Sequence, residues 1–195
     1  MSLVILKVDR DKNIHSVYCD GITFSSERVV KTDSNKIAQV ELPGCSILMG
    51  TTGYAEFTRY FRLYFEKHFV EANIIQYIGC DIFLERLNDV VYDIWKSFCE
   101  RHRISVSNTD FNDFGCVISF NGHIYCINSI RCEDVNTFHT YDITDRNYCV
   151  CGQEEVAALC LLENEVGIQR IFDTISKFNT NINNNVGSIE NVSWH

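Results

Sequence analysis

The sequence predicts an α+β fold, a four-layer αββα sandwich in which two antiparallel β-sheets are stacked and flanked by helices. Three observations predict it. Short β-rich runs separated by polar turns open the chain, two long stretches repeat apolar residues at spacings of three and four, and further strand-like runs follow before helical spacing returns. That order suits antiparallel sheets with helices packed outside better than alternating βαβ units. No linker composition and no internal repeat interrupts it, so residues 1–195 are expected to form a single domain.

Each element has its own signal. Residues 4–8 and 14–19 are β-rich and flank the polar segment 9–13, as in a hairpin. Residues 23–30 and 36–42 are expected to pair through 31–35, and 46–49 reads as a buried strand between Pro43-Gly44 and Gly50. From Tyr54 the period changes. Phe57, Tyr60, Phe61, Tyr64, Phe65 and Phe69 form one aromatic helix face, with Glu56, Arg59, Arg62, Glu66 and Lys67 largely elsewhere. A second helix is expected over 82–100, where Phe83, Leu87, Val90, Val91, Ile94, Trp95 and Phe98 repeat in the same way. Strand signals return at 114–120 and 123–127 around Asn121-Gly122, the strongest hairpin cue in the chain. Residues 134–147 read as polar and irregular, 148–151 as a short strand, 154–163 and 167–178 as helices, and 189–192 as a last strand.

Composition excludes several functions. With 17 basic against 26 acidic residues the formal net charge is -9, so the basic field that a general nucleic-acid or anionic-membrane binder needs is not written here. The short cluster Arg101-His102-Arg103 reads as a solvated helix end. No stretch approaches the roughly 18 apolar residues of a membrane span. The ten cysteines sit mostly inside apolar runs, which fits reduced thiols used as small hydrophobes and a cytoplasmic location. Cys19, Cys116 and Cys151 accordingly read as buried thiols rather than nucleophiles. Cys99 with His102, and Cys149 with Cys151, have tolerable ligand spacings, but no compact four-ligand set follows, and no metal or cofactor is expected. His15, His68, His102, His123 and His139 are scattered without a supporting constellation.

Three motifs carry a resemblance. The first is the opening hairpin leading to Tyr18-Cys19-Asp20-Gly21. The second is Asn35-Lys36-Ile37, followed by the run from Cys45 through Gly50-Thr51-Thr52-Gly53 to Glu56. The third is Cys149-Val150-Cys151-Gly152-Gln153 with the small-residue helix after it. In order and spacing, over nearly the whole chain, these resemble the proteasome β-subunit family and its HslV peptidase branch, which are N-terminal nucleophile (Ntn) hydrolases and threonine-peptidase relatives. Such enzymes attack an amide with the side chain of their first mature residue, whose own α-amine acts as base. A lysine ammonium assists, and backbone N–H groups hold the oxyanion.

Carried over by position, the resemblance gives Lys36 the lysine role, Asp20 that of its acidic partner, and the Gly152 turn that of the oxyanion side. Ser2 is the candidate nucleophile once Met1 is removed, since a small second residue favours that removal. Counted back from Asp20, Ser2 lies about two residues earlier than the family's nucleophile. An expanded turn over 9–13 absorbs the offset; without it the position falls on Leu3 or Val4, which have no attacking oxygen. Cys151-Gly152 stands where the family often has Ser-Gly, and residues 183–187 carry Asn where it has charge. Two expectations follow. One is a divergent proteasome-like subunit without peptidase activity, its site vestigial, serving in assembly or partner binding. The other is an amide or peptide hydrolase acting through Ser2. The resemblance also implies a homo-oligomer, as a ring, and a peptide or protein substrate for the active form.

Overall fold

The computed structural model describes residues 2–21, 23–25, 28–31, 36–42, 45–78, 80–106, 113–120, 122–132 and 135–192. In chain order its elements are β1 (Leu3–Asp9), β2 (Ile14–Asp20), β3 (Thr23–Ser25), β4 (Arg28–Lys31), β5 (Ile37–Leu42) and β6 (Cys45–Gly53). Next come α1 (Ala55–Glu71), a 3₁₀ turn (Ile74–Tyr77), α2 (Asp81–His102), β7 (Phe114–Phe120), β8 (His123–Cys132) and β9 (Val135–Asp142). The chain continues with β10 (Tyr148–Gly152), α3 (Glu155–Glu163), α4 (Ile168–Ile175) and β11 (Val186–Val192). One sheet has strand order β10-β1-β2-β11 and the other β5-β6-β7-β8-β9, and every pairing is antiparallel.

Side-chain alternation along the strands builds the layers. On β1, Leu3 and Ile5 pack with Val150 against Ala158, Leu162, Ile171 and Phe172 of α3 and α4. The intervening Val4, Leu6 and Val8 face the other sheet and meet Leu48, Val117 and Ile124. The far face of the five-stranded sheet packs Ile47, Met49, Ile118 and Phe120 against α1 and α2. The four layers are therefore α1/α2, five strands, four strands, and α3/α4, as the order of periodicities predicted. Strand β7 is buried along its whole length because it has a sheet neighbour on each side and a packed layer on each face.

The aromatic stripe on α1 is core. Phe57, Phe61, Phe65 and Phe69 are fully buried, and Phe57 sits 4.9 Å from both Trp95 and Phe114, centroid to centroid. Burying one such ring contributes about 1.5–3 kcal/mol, and each well-oriented aromatic pair adds about 0.5–1.5 kcal/mol. Arg101, His102 and Arg103 are exposed at the end of α2, with the Arg101 guanidinium over the rings of Tyr60 and Tyr64. No helix among the described residues is long and apolar enough to cross a membrane.

Two expectations are corrected. Residues 23–30 do not pair with 36–42: β3 and β4 form a small hairpin of their own, while β5 pairs with β6. The closer neighbour in sequence supplies a partner with the matching apolar alternation, Ala38, Val40 and Leu42 against Met49, Ile47 and Cys45. Pro43-Gly44, like Asn121 of the later turn, lies outside the described residues. The segment 134–147 is not irregular, since β9 occupies most of it as the edge strand beside β8. An edge strand tolerates polar residues on its outer side. Phe138 is its anchor in the core, and Thr140 Oγ1 bonds to Asn88 Oδ1 of α2 at 2.6 Å.

Candidate active site

Three of the four predicted site residues meet at the open ends of β1 and β2. The connection between these strands is long, spanning residues 10–13 with Asn13 at φ 53° and Lys12 paired to Asp9 at 2.9 Å. The register that results sets Val4 opposite Cys19, so Leu3 comes level with Asp20 and Ser2 stands one residue further out. The Leu3 N–H donates to Asp20 Oδ1 at 2.9 Å.

Asp20 is fully buried, as a carboxylate is only when it is paired. Its partner is Lys36, just ahead of β5, whose ammonium donates to both carboxylate oxygens at 3.0 Å. The Lys36 backbone is fixed as well: its carbonyl accepts the Thr51 N–H at 2.9 Å, where β6 runs on toward α1. Burial pulls the Lys36 ammonium below the ordinary lysine range, and the Asp20 charge and hydrogen bonds oppose that shift. The result is a desolvated cation at the Ser2–Leu3 peptide.

Gly152 joins the site from β10. Gln153 N–H donates to the Ser2 carbonyl at 2.9 Å, and Thr52 Oγ1 approaches the same oxygen at 3.2 Å. Gly152 has φ +109°, and a Cβ there would stand 1.9 Å from the Ser2 oxygen. Only glycine lets the two strands come this close. Gly50 plays a similar part between the sheets, where a Cβ would meet Val4 at 2.4 Å.

Sequence patterning missed several neighbours. Arg62, assigned to the outer face of α1, turns its guanidinium onto Thr51 Oγ1. The legible hint is Thr58, which is buried four residues earlier on the same line of the helix. Asn183 Oδ1 accepts the Gly21 N–H at 2.9 Å, which ties the Asn-rich segment to the residue after Asp20. Cys151 turns its thiol toward Cys126, 3.3 Å away, into the space between the sheets. Among the described residues, the three side chains spaced to hold a metal ion are Cys126, Cys149 and Cys151, behind Gly152.

Two stacked antiparallel sheets between helix pairs give this chain the fold of the HslV- and proteasome-like Ntn hydrolases. The chain is similar in structure to eukaryotic HslV from Trypanosoma brucei, with a TM-score of 0.62 at 8% identity over 98% of this chain and 99% of that one. It is similar to the BPH of Thiobacillus denitrificans in complex with epoxomicin, with a TM-score of 0.61 at 12% identity over 98% of each chain. It is also similar to Anbu of Pseudomonas aeruginosa, solved as a helical assembly, with a TM-score of 0.61 at 14% identity over 98% of this chain and 81% of that one. At these identities the likeness is one of fold. No family model matches the chain, and no curated protein matches it in sequence.

Proposed function

We propose that this chain is a proteasome-like subunit that hydrolyses amide bonds of a peptide or protein substrate through Ser2, after removal of Met1 frees the Ser2 amine. The observation that carries this reading is the buried Asp20–Lys36 pair held on the Ser2–Leu3 peptide by the Leu3 N–H. Such a pair adds little net stability, because desolvating both charges offsets their attraction. Chemistry at the neighbouring residue gives it a purpose that folding does not.

In this mechanism the Ser2 α-amine takes the Oγ proton as Oγ attacks the substrate carbonyl. The tetrahedral adduct collapses as the amide C–N bond breaks, the α-amine hands the proton to the leaving amine, and an ester remains on Ser2. Water then attacks this ester, giving a proton to the α-amine, which returns it to Oγ as the carboxylic acid leaves. Lys36 favours the developing negative oxygen electrostatically, and Asp20 holds both Lys36 and the strand that carries Ser2. Gly152 admits the Ser2 carbonyl, and the Gln153 N–H is committed to that carbonyl, so the oxyanion donor is a different backbone N–H.

The test is an intact mass lacking Met1, together with acylation at residue 2 by an electrophile that traps terminal hydroxyls and loss of hydrolysis in Ser2→Ala. Retained hydrolysis in that variant overturns the mechanism. The second reading, a non-peptidase subunit kept for assembly or partner binding, is favoured by the placement of Cys151. The residue standing where relatives often have serine points at Cys126 rather than at the site. That reading expects no label at residue 2. Either way the subunit is proposed to form a homo-oligomer, as a ring, in the cytoplasm. The exposed Leu63 and Val70 on α1 and the exposed Phe178 support self-association.

A further inference from the structure

Three buried thiols that the mechanism does not use converge from different sheets. Cys126 lies on β8 of the five-stranded sheet, and Cys149 and Cys151 lie on β10 of the four-stranded one. Cys149 and Cys151 are two apart on a strand, so both point to one face, and that face is turned toward the other sheet. Their sulfurs and that of Cys126 all lie within 4.8 Å of one another, with Cys126 and Cys151 at 3.3 Å. Thiols are weak hydrogen-bonding groups, so three of them facing each other in an apolar layer gain little as thiols.

The spacing suits a metal ion. A Zn–S length of about 2.3 Å places sulfurs around one ion about 3.8 Å apart, which these side chains reach with small adjustments. A fourth position is within reach as well. A cleft of about 390 Å³ lies nearby, lined by Gly115, Asn128, Gly152, Gln153 and Glu155 among others and by none of the three cysteines. Asn128 borders both, with its Oδ1 3.8 Å from Cys151 Sγ. Charge selects the valence. Three thiolates around a monovalent ion leave two buried negative charges, whereas a divalent ion leaves one, beside a cleft open to water.

We propose that Cys126, Cys149 and Cys151 form the binding site of one thiophilic divalent cation of the zinc class, clipped between the two sheets with its fourth position on the side of Asn128. On loading, three metal–sulfur bonds form and the thiols release their protons to solvent; no redox change is involved. The ion ties β8 to β10 next to the residues that hold the Ser2 carbonyl. It acts as an inter-sheet clip, and the proposal stands whether or not Ser2 is a nucleophile.

The test uses the full chain, purified anaerobically with its thiols reduced and then freed of metal. Titration with Co²⁺ is expected to give thiolate-to-cobalt charge-transfer absorption that saturates at one equivalent and is displaced by Zn²⁺, and the thermal midpoint is expected to rise on adding Zn²⁺. Losing a neighbour of a metal ligand costs about 10–100-fold in affinity. Cys126→Ser or Cys151→Ser, which remove a ligand itself, are therefore expected to weaken binding by at least about a hundredfold. Substituting the exposed Cys80 and Cys160 is expected to change nothing. Should a ligand variant fail to fold, the cobalt spectrum of the unaltered protein decides. Absence of charge-transfer bands at one equivalent overturns the proposal. So does unchanged affinity in a folded ligand variant, uptake of Cu⁺ with none of Zn²⁺, or a Cys126–Cys151 disulfide in the freshly isolated protein.

Discussion

Replacing Lys36 with methionine leaves the fully buried Asp20 carboxylate without its ammonium partner. Removing one member of a buried pair typically costs about 3–5 kcal/mol. Asp20 retains the hydrogen bond from the Leu3 N–H, which does not replace the charge of the ammonium. Thermal denaturation of Lys36→Met beside the parent chain measures the loss. At about 2–4 °C per kcal/mol for a chain of this size, the thermal midpoint is expected to fall by about 6–20 °C. The double variant Asp20→Asn/Lys36→Met, with no buried charge left at this pair, is expected to recover most of the loss. A penalty below about 1 kcal/mol is what a solvated surface pair gives. That result, or a double variant as weak as the single, would refute the placement of this pair.

Two further predictions concern the surroundings. Gly152→Ala forces a side chain onto a backbone at φ +109° and against the Ser2 oxygen; the backbone strain alone is worth about 1–3 kcal/mol. A lowered denaturation midpoint together with loss of reaction at Ser2 is expected, and a neutral variant would contradict the close approach of the two strands. His15, buried beside Ser119, is held below its usual range first by burial and then by the Arg10 charge. Its contribution is therefore present above about pH 6.5, where the unfolded ring is also neutral. That contribution is lost as acidification protonates the folded ring, and His15→Gln is expected to flatten this part of the stability–pH profile.

The fold was legible where one period dominated a long stretch. Helices α1 and α2 announce themselves through phenylalanines three and four apart, and β7 through an apolar run followed by an Asn-Gly pair. Pairing partners were less legible, because alternation in β5 says which face is buried and not which strand lies alongside. The polar β9 was hidden for a related reason: an edge strand needs only one anchor such as Phe138 and looks like a loop. At the site, Asp20 and Lys36 were found through resemblance to known hydrolases, since nothing in the spacing of two charges sixteen residues apart states that they touch. The Cys126 partnership was invisible, as it depends on a contact between layers that no local pattern encodes, and Arg62 was hinted at only by Thr58 one turn earlier.

Chain ends ordinarily fray, but the segment carrying Ser2 leads directly into a strand with ladders on both flanks, β10 on one side and β2 on the other. Amide hydrogens of β1 should accordingly exchange with solvent as slowly as those of the deepest strands, which gives the proposed nucleophile a rigid mounting. The same placement dictates how the protein is handled. An affinity tag fused ahead of Ser2 would leave from the end of an inner strand and would cap the very amine under study, whereas a tag after β11 leaves from an outer strand and spares it.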